Sequence, residues 1–102
     1  MESLTERIRI LESQGYVNNF GVRNGQLCIG RDIMFSEENV NLDSTYRIEA
    51  ASDPDSQSIV YALTCANPKS KGLLINSFGI YSDAAIDKFI QKISRPVKNQ
   101  TI

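Results

Sequence analysis

Apolar residues near the start of the chain recur every three to four positions, which is the spacing of one face of an α-helix. The members of this stripe are Leu4, Ile8 and Leu11. Ser3 and Glu6 stand at the spacing of a capping box, in which two side chains accept hydrogen bonds from backbone N–H groups at the start of a helix. Gly15 can adopt the left-handed conformation that ends many helices. The pattern therefore predicts a helix over residues 4–14.

A second apolar stripe of helical spacing lies near the end of the chain. It contains Ile86, Phe89, Ile90 and Ile93. Ser82 is placed to cap the start of this helix, and Pro96 is expected to end it, because proline lacks the backbone N–H that a helix needs. We expect ordered structure to stop near Arg95, which makes residues 1–95 a single domain and residues 96–102 a frayed tail.

Between the two helices the pattern changes to the period of two that is typical of β-strands. The Asn24-Gly25 pair predicts a two-residue hairpin loop, which fixes the residues of the flanking strands that lie opposite each other. The expected opposite pairs are Val22 with Leu27 and Phe20 with Ile29. Because these four side chains share one face, the hairpin is apolar on one side only.

Three further strands are predicted, over residues 44–51, 58–65 and 71–78. An irregular passage over 31–42, with one helical turn capped by Ser36, precedes them. The strand over 58–65 is apolar on both faces, which is typical of a central strand. The sequence thus predicts an α+β fold of order αβββββα, an antiparallel sheet of about five strands with both terminal helices packed on one face. The second face would then need a cover, which a second copy of the chain could provide.

The composition favours one globular domain with its own core. The chain has 102 residues, of which 41% are hydrophobic and 23% are charged. Its formal net charge of -1 lacks the basic excess that binds phosphates, so we expect no nucleic-acid partner. No apolar stretch has the length of a signal peptide or a membrane span, so we expect a cytoplasmic protein with no membrane partner. Cys28 and Cys65 are expected to be free, reduced thiols, and the lesser alternative is a disulfide between them, which requires adjacent strands and an oxidising compartment.

The chain contains no histidine, which removes the commonest general acid–base group and the commonest metal ligand. Histidine-dependent triads and histidine-containing zinc sites are therefore excluded. Asp53 and Asp55 flank Pro54, and two carboxylates are too few to hold a cation, so a turn is the favoured interpretation. The sequence predicts no catalytic residues, no metal site and no cofactor.

One candidate ligand site lies between the last strand and the last helix, at Lys71, Asn76, Gly79 and Tyr81. Asn76 is polar on a strand face that is otherwise apolar, so it must bond either a ligand or the protein itself. Lys71 could add positive charge, and Gly79 allows close backbone approach. Asp83 in the first turn of the helix would repel a phosphate. Structural closure of the sheet therefore stays as the alternative role for these residues.

The same residues belong to motifs that occur along most of the chain. These motifs are Gly15-Tyr16, Tyr46-Arg47-Ile48-Glu49, Asp53-Pro54-Asp55, Ile59-Val60-Tyr61-Ala62, Lys71-Gly72, Leu74-Ile75-Asn76 and Phe78-Gly79-Ile80-Tyr81. In them the chain resembles a family of small bacterial proteins, of about this length, that are often labelled phosphoribosylpyrophosphate synthetase. True synthetases of that name are much longer, with two phosphoribosyltransferase-like halves and histidines near the ATP site. The resemblance therefore implies at most an accessory role in phosphoribosylpyrophosphate metabolism.

These observations predict a non-enzymatic protein-binding or self-associating module. Its partner would be a second copy or another protein, bound through the open face or an edge of the sheet. The alternative is a small-molecule-binding protein for a phosphorylated sugar or a nucleotide, which would use the candidate ligand site.

Overall fold

The computed structural model describes residues 3–30, 32–48, 57–66, 69–77 and 83–93. Its elements, in chain order, are α1 (Leu4–Ser13), β1 (Asn18–Asn19), β2 (Gly21–Arg23), β3 (Gln26–Ile29), β4 (Ile33–Phe35), a single 3₁₀ turn (Glu37–Asn39), β5 (Val40–Ile48), β6 (Ser58–Cys65), β7 (Ser70–Ser77) and α2 (Ala84–Ile93). The predicted helix end near Arg95 and the tail 96–102 lie outside the described residues.

The α+β fold class and the two terminal helices are confirmed, while the strands differ in number and grouping. β1, β7, β6 and β5 form a four-stranded sheet in that order, and β2, β3 and β4 form a second sheet of three strands. β1 runs parallel to β7, and the other pairs are antiparallel. Residues 16–22, predicted as the first strand of the hairpin, divide at Phe20 into β1 and β2, because the chain leaves β7 there and enters the hairpin.

Both ends of α1 have the predicted structure. The Ser3 hydroxyl accepts from the Glu6 N–H at 3.1 Å, and the Glu6 carboxylate accepts from the Ser3 N–H at 2.9 Å, which completes the capping box. At the other end Gly15 has a φ of 104°, and the N–H of Tyr16 donates to the carbonyl of Leu11 at 3.1 Å. These bonds satisfy backbone groups that a helix end otherwise leaves without partners.

The hairpin register beside the loop is as predicted, with Val22 opposite Leu27 and Arg23 opposite Gln26. The predicted pairing of Phe20 with Ile29 is not formed, because Phe20 precedes β2 and donates its N–H to the Leu73 carbonyl instead. Asn24 and Gly25 have φ values of 53° and 78°, the positive values that a type I′ turn requires. The one-sided apolar surface of the hairpin packs into the main core: Leu27 is fully buried there, and Val22 packs against its edge.

The two helices lie on opposite faces of the four-stranded sheet, which corrects the expectation of one shared face. Val60 and Ala62 of β6 belong to the apolar cluster that α1 completes, whereas Tyr61 and Leu63 belong to the apolar cluster that α2 completes. Since neighbouring residues of a strand point to opposite faces, the two clusters lie on opposite sides of β6. The helical periodicity reports which side of each helix is apolar but not which face of a sheet it covers.

On the α1 side the middle of the sheet is therefore covered within one chain, whereas Ile75, opposite Val60 on the same face, is 38% exposed. Leu11 of α1 is 1% exposed, and Val60 and Ala62 beneath it are fully buried. The α2 side is covered jointly by α2 and the three-stranded sheet, since Phe89, Leu27 and Phe35 all join the same cluster. The apolar pattern on both faces of β6 is thus satisfied without a second copy.

A β-bulge in β5 sets the geometry around Asp43. The β5–β6 register shifts between Leu42 and Ser44, so Asp43 is an extra residue that has no opposite residue in β6. Before the bulge Leu42 packs on the α2 side, and after it Tyr46 packs on the α1 side. The bulge therefore reverses which positions of β5 face each helix, and it turns Asp43 toward neighbouring polar side chains.

Candidate functional site

The structure does not bring the described members of the predicted ligand site together. Lys71 and Asn76 both lie on β7, while Gly79 and Tyr81 lie outside the described residues. Five positions separate Lys71 from Asn76, so their side chains point to opposite faces and their Cα atoms are about 17 Å apart along the strand. One small ligand cannot contact both side chains.

Asn76 is buried, at 5% exposure, and the protein itself satisfies its side chain. Its carbonyl oxygen accepts hydrogen bonds from the backbone N–H groups of Ser77 and Asp83, both at 2.8 Å. Its amide group donates to the Asp87 carboxylate at 2.9 Å. Asn76 therefore connects the end of β7 to the first turn of α2.

Asp83 caps α2, because its carboxylate accepts from the Ala85 N–H at 2.9 Å and its carbonyl accepts from the Asp87 N–H. The predicted cap, Ser82, lies outside the described residues, and the helix begins at Ala84. The bonds of Asn76 and Asp83 together place the start of α2 over the sheet.

Lys71 lies at the other end of β7, beside the last turn of α1. Its ammonium group donates to the carbonyl of Gln14 at 3.2 Å and lies 4.3 Å from the centre of the Tyr16 ring. A cation at a helix C-terminus interacts favourably with the helix dipole, and a cation over an aromatic face adds a further attraction. These contacts give Lys71 a structural role at the end of α1.

Lys71 belongs to a group of polar side chains that was not predicted, here called the Asp43 cluster: Tyr16, Asn41, Asp43, Thr64 and Lys71. Asn41, Thr64 and Lys71 lie opposite one another on three adjacent strands and form one row across the sheet. The Asp43 carboxylate accepts hydrogen bonds from the Tyr16 hydroxyl at 2.8 Å, from the Asn41 amide and from the Thr64 hydroxyl. The cluster occupies the end of the sheet that α1 leaves uncovered.

The electrostatics of the cluster keep Asp43 ionised. Burial alone would raise the pKa of the Asp43 carboxyl. The hydrogen bonds that it accepts from Thr64, Tyr16 and Asn41 outweigh this effect, and the charge of Lys71 acts in the same direction, so the pKa is lowered. The same bond to Asp43 is the main reason that the pKa of Tyr16 is raised.

The Asp43 cluster is suited to joining segments of the fold rather than to catalysis. Asp43 already accepts three hydrogen bonds, and the pKa of Tyr16 is raised further from an ordinary value that already keeps its proton at neutral pH. The cluster joins the turn after α1 to β5, β6 and β7. The sequence carries no signal for this arrangement, because Asp43 meets its partners only through the bulge and through contacts between distant segments.

Replacing Asp43 with Asn is expected to lower the free energy of unfolding by at most about 1 kcal/mol at neutral pH, since the cluster is exposed and screened by solvent. Because the folded pKa of Asp43 is depressed, its stabilising contribution is present above the unfolded pKa of about 3.9 and is lost as the pH falls through the folded pKa. Urea unfolding of both proteins between about pH 7 and pH 3 should therefore show the difference shrinking toward acid. A difference that grows toward acid would contradict this assignment.

Two solvent-open grooves lie beside the hairpin loop, and both are lined by Gly25 and Lys92. One, of about 530 Å³, lies toward the 3₁₀ turn, where Lys92 is 3.8 Å from the carboxylate of Glu37. The other, of about 450 Å³, has Phe89 in its wall. Neither groove contains any of the predicted ligand residues.

In the described parts of the chain, no three His, Cys, Asp or Glu side chains come close enough together to hold a metal ion. Across the same residues, no helix is both long and apolar enough to cross a membrane. Cys28 and Cys65 are buried and not joined to each other. Burial, with a smaller effect from Asp43, raises the pKa of Cys65 to about 11, so its thiol stays protonated.

No protein-family model, no curated protein and no solved structure matches this chain. The resemblance to small proteins labelled phosphoribosylpyrophosphate synthetase thus depends on the sequence motifs alone.

Proposed function

We propose that the protein is a non-enzymatic, cytoplasmic module that associates with a second copy of itself through the outer edge of β5. The observation that carries the proposal is the position of β5, a nine-residue strand at the end of the four-stranded sheet. Of the strands in the described residues, only β6 pairs with it. A strand edge of this kind can accept another strand through backbone hydrogen bonds.

The faces of the sheet are less suited to this role than its edge. α1 covers the middle of one face and leaves Ile75 at its margin exposed, and α2 with the three-stranded sheet covers the other face. Coverage of the faces within one chain weakens the case for association through a face. The edge of β5 can still pair with another strand through its backbone groups.

The direction of the backbone groups in β5 follows from the pairing of its neighbours. The carbonyl of Leu73 accepts a hydrogen bond from the β1 side, so the backbone of Ala62, opposite Leu73, must face β5. Ser44 lies opposite Ala62 and faces back toward β6. Its neighbour Thr45 then directs its N–H and C=O away from the sheet. The bulge limits the straight part of this edge to Ser44–Ile48.

A second β5 strand can pair here in antiparallel orientation about a two-fold axis, which gives a closed dimer of the commonest symmetry. Because the straight edge is short, the pair buries little surface, and we expect a dissociation constant that is micromolar or weaker. The small-molecule alternative has less support, since Lys71 and Asn76 lie on opposite faces of β7.

Thr45→Pro is expected to abolish self-association without unfolding the protein. The N–H of Thr45 faces away from β6, so a proline there removes a donor to the partner strand and no hydrogen bond of the β5–β6 ladder. Thr45→Ala is the matched control and should associate like the unmodified chain. Sedimentation velocity over a concentration series measures the association, and circular dichroism checks the fold.

Hydrogen exchange gives an independent measurement. The Thr45 amide should become protected as the protein concentration rises, whereas the Ser44 amide, which faces β6, should be protected at every concentration. A protein that stays monomeric into the high micromolar range, with an unprotected Thr45 amide, would contradict the proposed function.

A further inference from the structure

We propose that Asn24-Gly25 is a site of spontaneous covalent modification, at which Asn24 is converted to aspartate and isoaspartate with electrostatic assistance from Lys92. The proposal is independent of self-association through β5. It depends on the conformation of the hairpin loop and on a contact between that loop and α2.

The loop exposes both reacting groups. Asn24 and Gly25 are exposed and lie between β2 and β3, so the N–H of Gly25 is not a donor in the β-ladder. Glycine has no side chain to hinder attack by its own backbone nitrogen. Asn24 is the only asparagine in the chain that precedes a glycine.

The chemistry requires water and no other reactant. The backbone nitrogen of Gly25 loses its proton to solvent base and attacks Cγ of Asn24, which forms an N–C bond. The Cγ–Nδ2 bond then breaks, and Nδ2 leaves with an added proton as ammonia, so that a five-membered cyclic imide remains. Water adds to one of the two imide carbonyls and opens the ring to aspartate or to isoaspartate. No oxidation or reduction occurs.

Lys92 places a positive charge beside the attacking residue. Its ammonium nitrogen lies 3.7 Å from the position that a Cβ on Gly25 would occupy. The attack develops negative charge first on the Gly25 nitrogen and then on the former amide oxygen of Asn24, so a nearby cation lowers the barrier. At a separation of about 4 Å in water one such interaction is worth at most about a fivefold change in rate, and the Glu37 carboxylate, 3.8 Å from the same ammonium group, reduces it.

The turn itself opposes the reaction. The left-handed conformation of Asn24, with a φ of 53°, belongs to the closed turn, and ring formation requires the loop to open locally. The loop of a hairpin opens at a lower free energy than the core unfolds, so the folded protein can still react. Asn76 provides the contrast, since it is buried and hydrogen bonds hold both ends of its amide.

The product alters this part of the surface. Isoaspartate inserts one additional carbon into the main chain of a loop that has only two residues, which disturbs the pairing of Arg23 with Gln26. Both products add a carboxylate to the loop whose Gly25 lines the two grooves together with Lys92. The modification thus changes the charge of the groove rim as the protein ages.

The test is incubation of the folded chain at mildly alkaline pH, followed by peptide mapping with mass spectrometry that separates aspartate from isoaspartate. We expect Asn24 to be modified before any other asparagine. Lys92→Gln should slow the reaction by up to about fivefold in the folded protein and leave its rate in concentrated urea unchanged. Lys88→Gln, on the same helix and in the wall of only one groove, is the charge-matched control and should have a smaller effect.

Asn24→Gly checks the assignment without disturbing the turn, because glycine accepts the left-handed conformation. This variant should keep its fold and lose the modification at position 24. Two results would overturn the proposal: an Asn24 that stays intact while another asparagine reacts, or a folded-state rate that Lys92→Gln leaves unchanged.

Discussion

Replacement of Gly72 with alanine is expected to destabilise the fold by about 3 kcal/mol or more. A Cβ at this position would lie 2.3 Å from the carbonyl oxygen of Asn18 and 2.8 Å from its carbonyl carbon. These atoms are main chain, so no side-chain rotation relieves the clash. β1 would have to move away from β7.

Moving β1 breaks the bonds that hold it to the sheet. The Phe20 N–H donates to the Leu73 carbonyl at 2.9 Å, and the Asn18 amide donates to the Lys71 carbonyl at 2.8 Å. Since φ at Gly72 is not positive, alanine taken alone would raise the stability of the protein by about 0.4–1 kcal/mol, because it restricts the conformations of the unfolded chain. The clash and the lost hydrogen bonds are larger than this gain, so the net effect is destabilising.

Gly21→Ala is the matched control, because it adds the same methyl group to another strand. There the Cβ would meet only the sulfur of Cys28, at 3.7 Å, an ordinary contact distance, and φ at Gly21 is not positive either. Urea unfolding should show Gly21→Ala within about 1 kcal/mol of the unmodified chain and Gly72→Ala far below it. Equal stability of the two variants would contradict the close approach of β1 to β7.

Features that depend on neighbouring residues could be predicted from the sequence. The Asn24-Gly25 loop fixes the pairing of Val22 with Leu27 because a two-residue loop leaves no other register. The capping box at Ser3 is equally local. β6 matches its predicted bounds because a run that is apolar on both faces, between turn signals, fits a buried strand.

Features that depend on distant contacts could not be predicted. β1 consists of two asparagines, residues with low strand propensity, and it is a strand only because β7 lies beside it. The bulge at Asp43 arises from the register between β5 and β6. The placement of α1 opposite α2 depends on which face of the sheet each connection reaches. The apolar side of α1, which includes Leu11, could pack equally well on either face.

The candidate ligand site illustrates the same limit. The sequence indicated that Asn76 needs partners but could not distinguish a ligand from the protein, since Asp83 and Asp87 become its partners only when α2 folds back onto the sheet. The sequence predicts Lys71 as a positive charge that could help to bind an anion, whereas its ammonium group donates to the carbonyl of Gln14 at the end of α1. In both cases the residue type was informative, and the partner was set by the tertiary fold.

Asn76→Ala is expected to lower the free energy of unfolding by about 3 kcal/mol. Alanine leaves the partly buried N–H groups of Ser77 and Asp83 without their acceptor, and a donor left without a partner costs about 1–3 kcal/mol, toward the lower end where burial is partial. It also removes the donor to Asp87. For a domain of this size the midpoint of thermal unfolding should fall by roughly 4–8 °C per kcal/mol. If Asn76 served only to bind a ligand, this variant would unfold like the unmodified chain.

An exchange of side chains between the two positions separates the hydrogen-bond network from a simple loss of volume. Asn76→Asp alone keeps both acceptor contacts but places a second carboxylate against Asp87, so it should also be destabilising. In the double variant Asn76→Asp with Asp87→Asn, the new amide at position 87 can donate to the new carboxylate at position 76. The double variant should regain most of the stability that Asn76→Asp loses, and the double-mutant cycle measures this gain as a favourable coupling energy. Additive effects of the two substitutions would show that Asn76 does not join the sheet to α2 through Asp87.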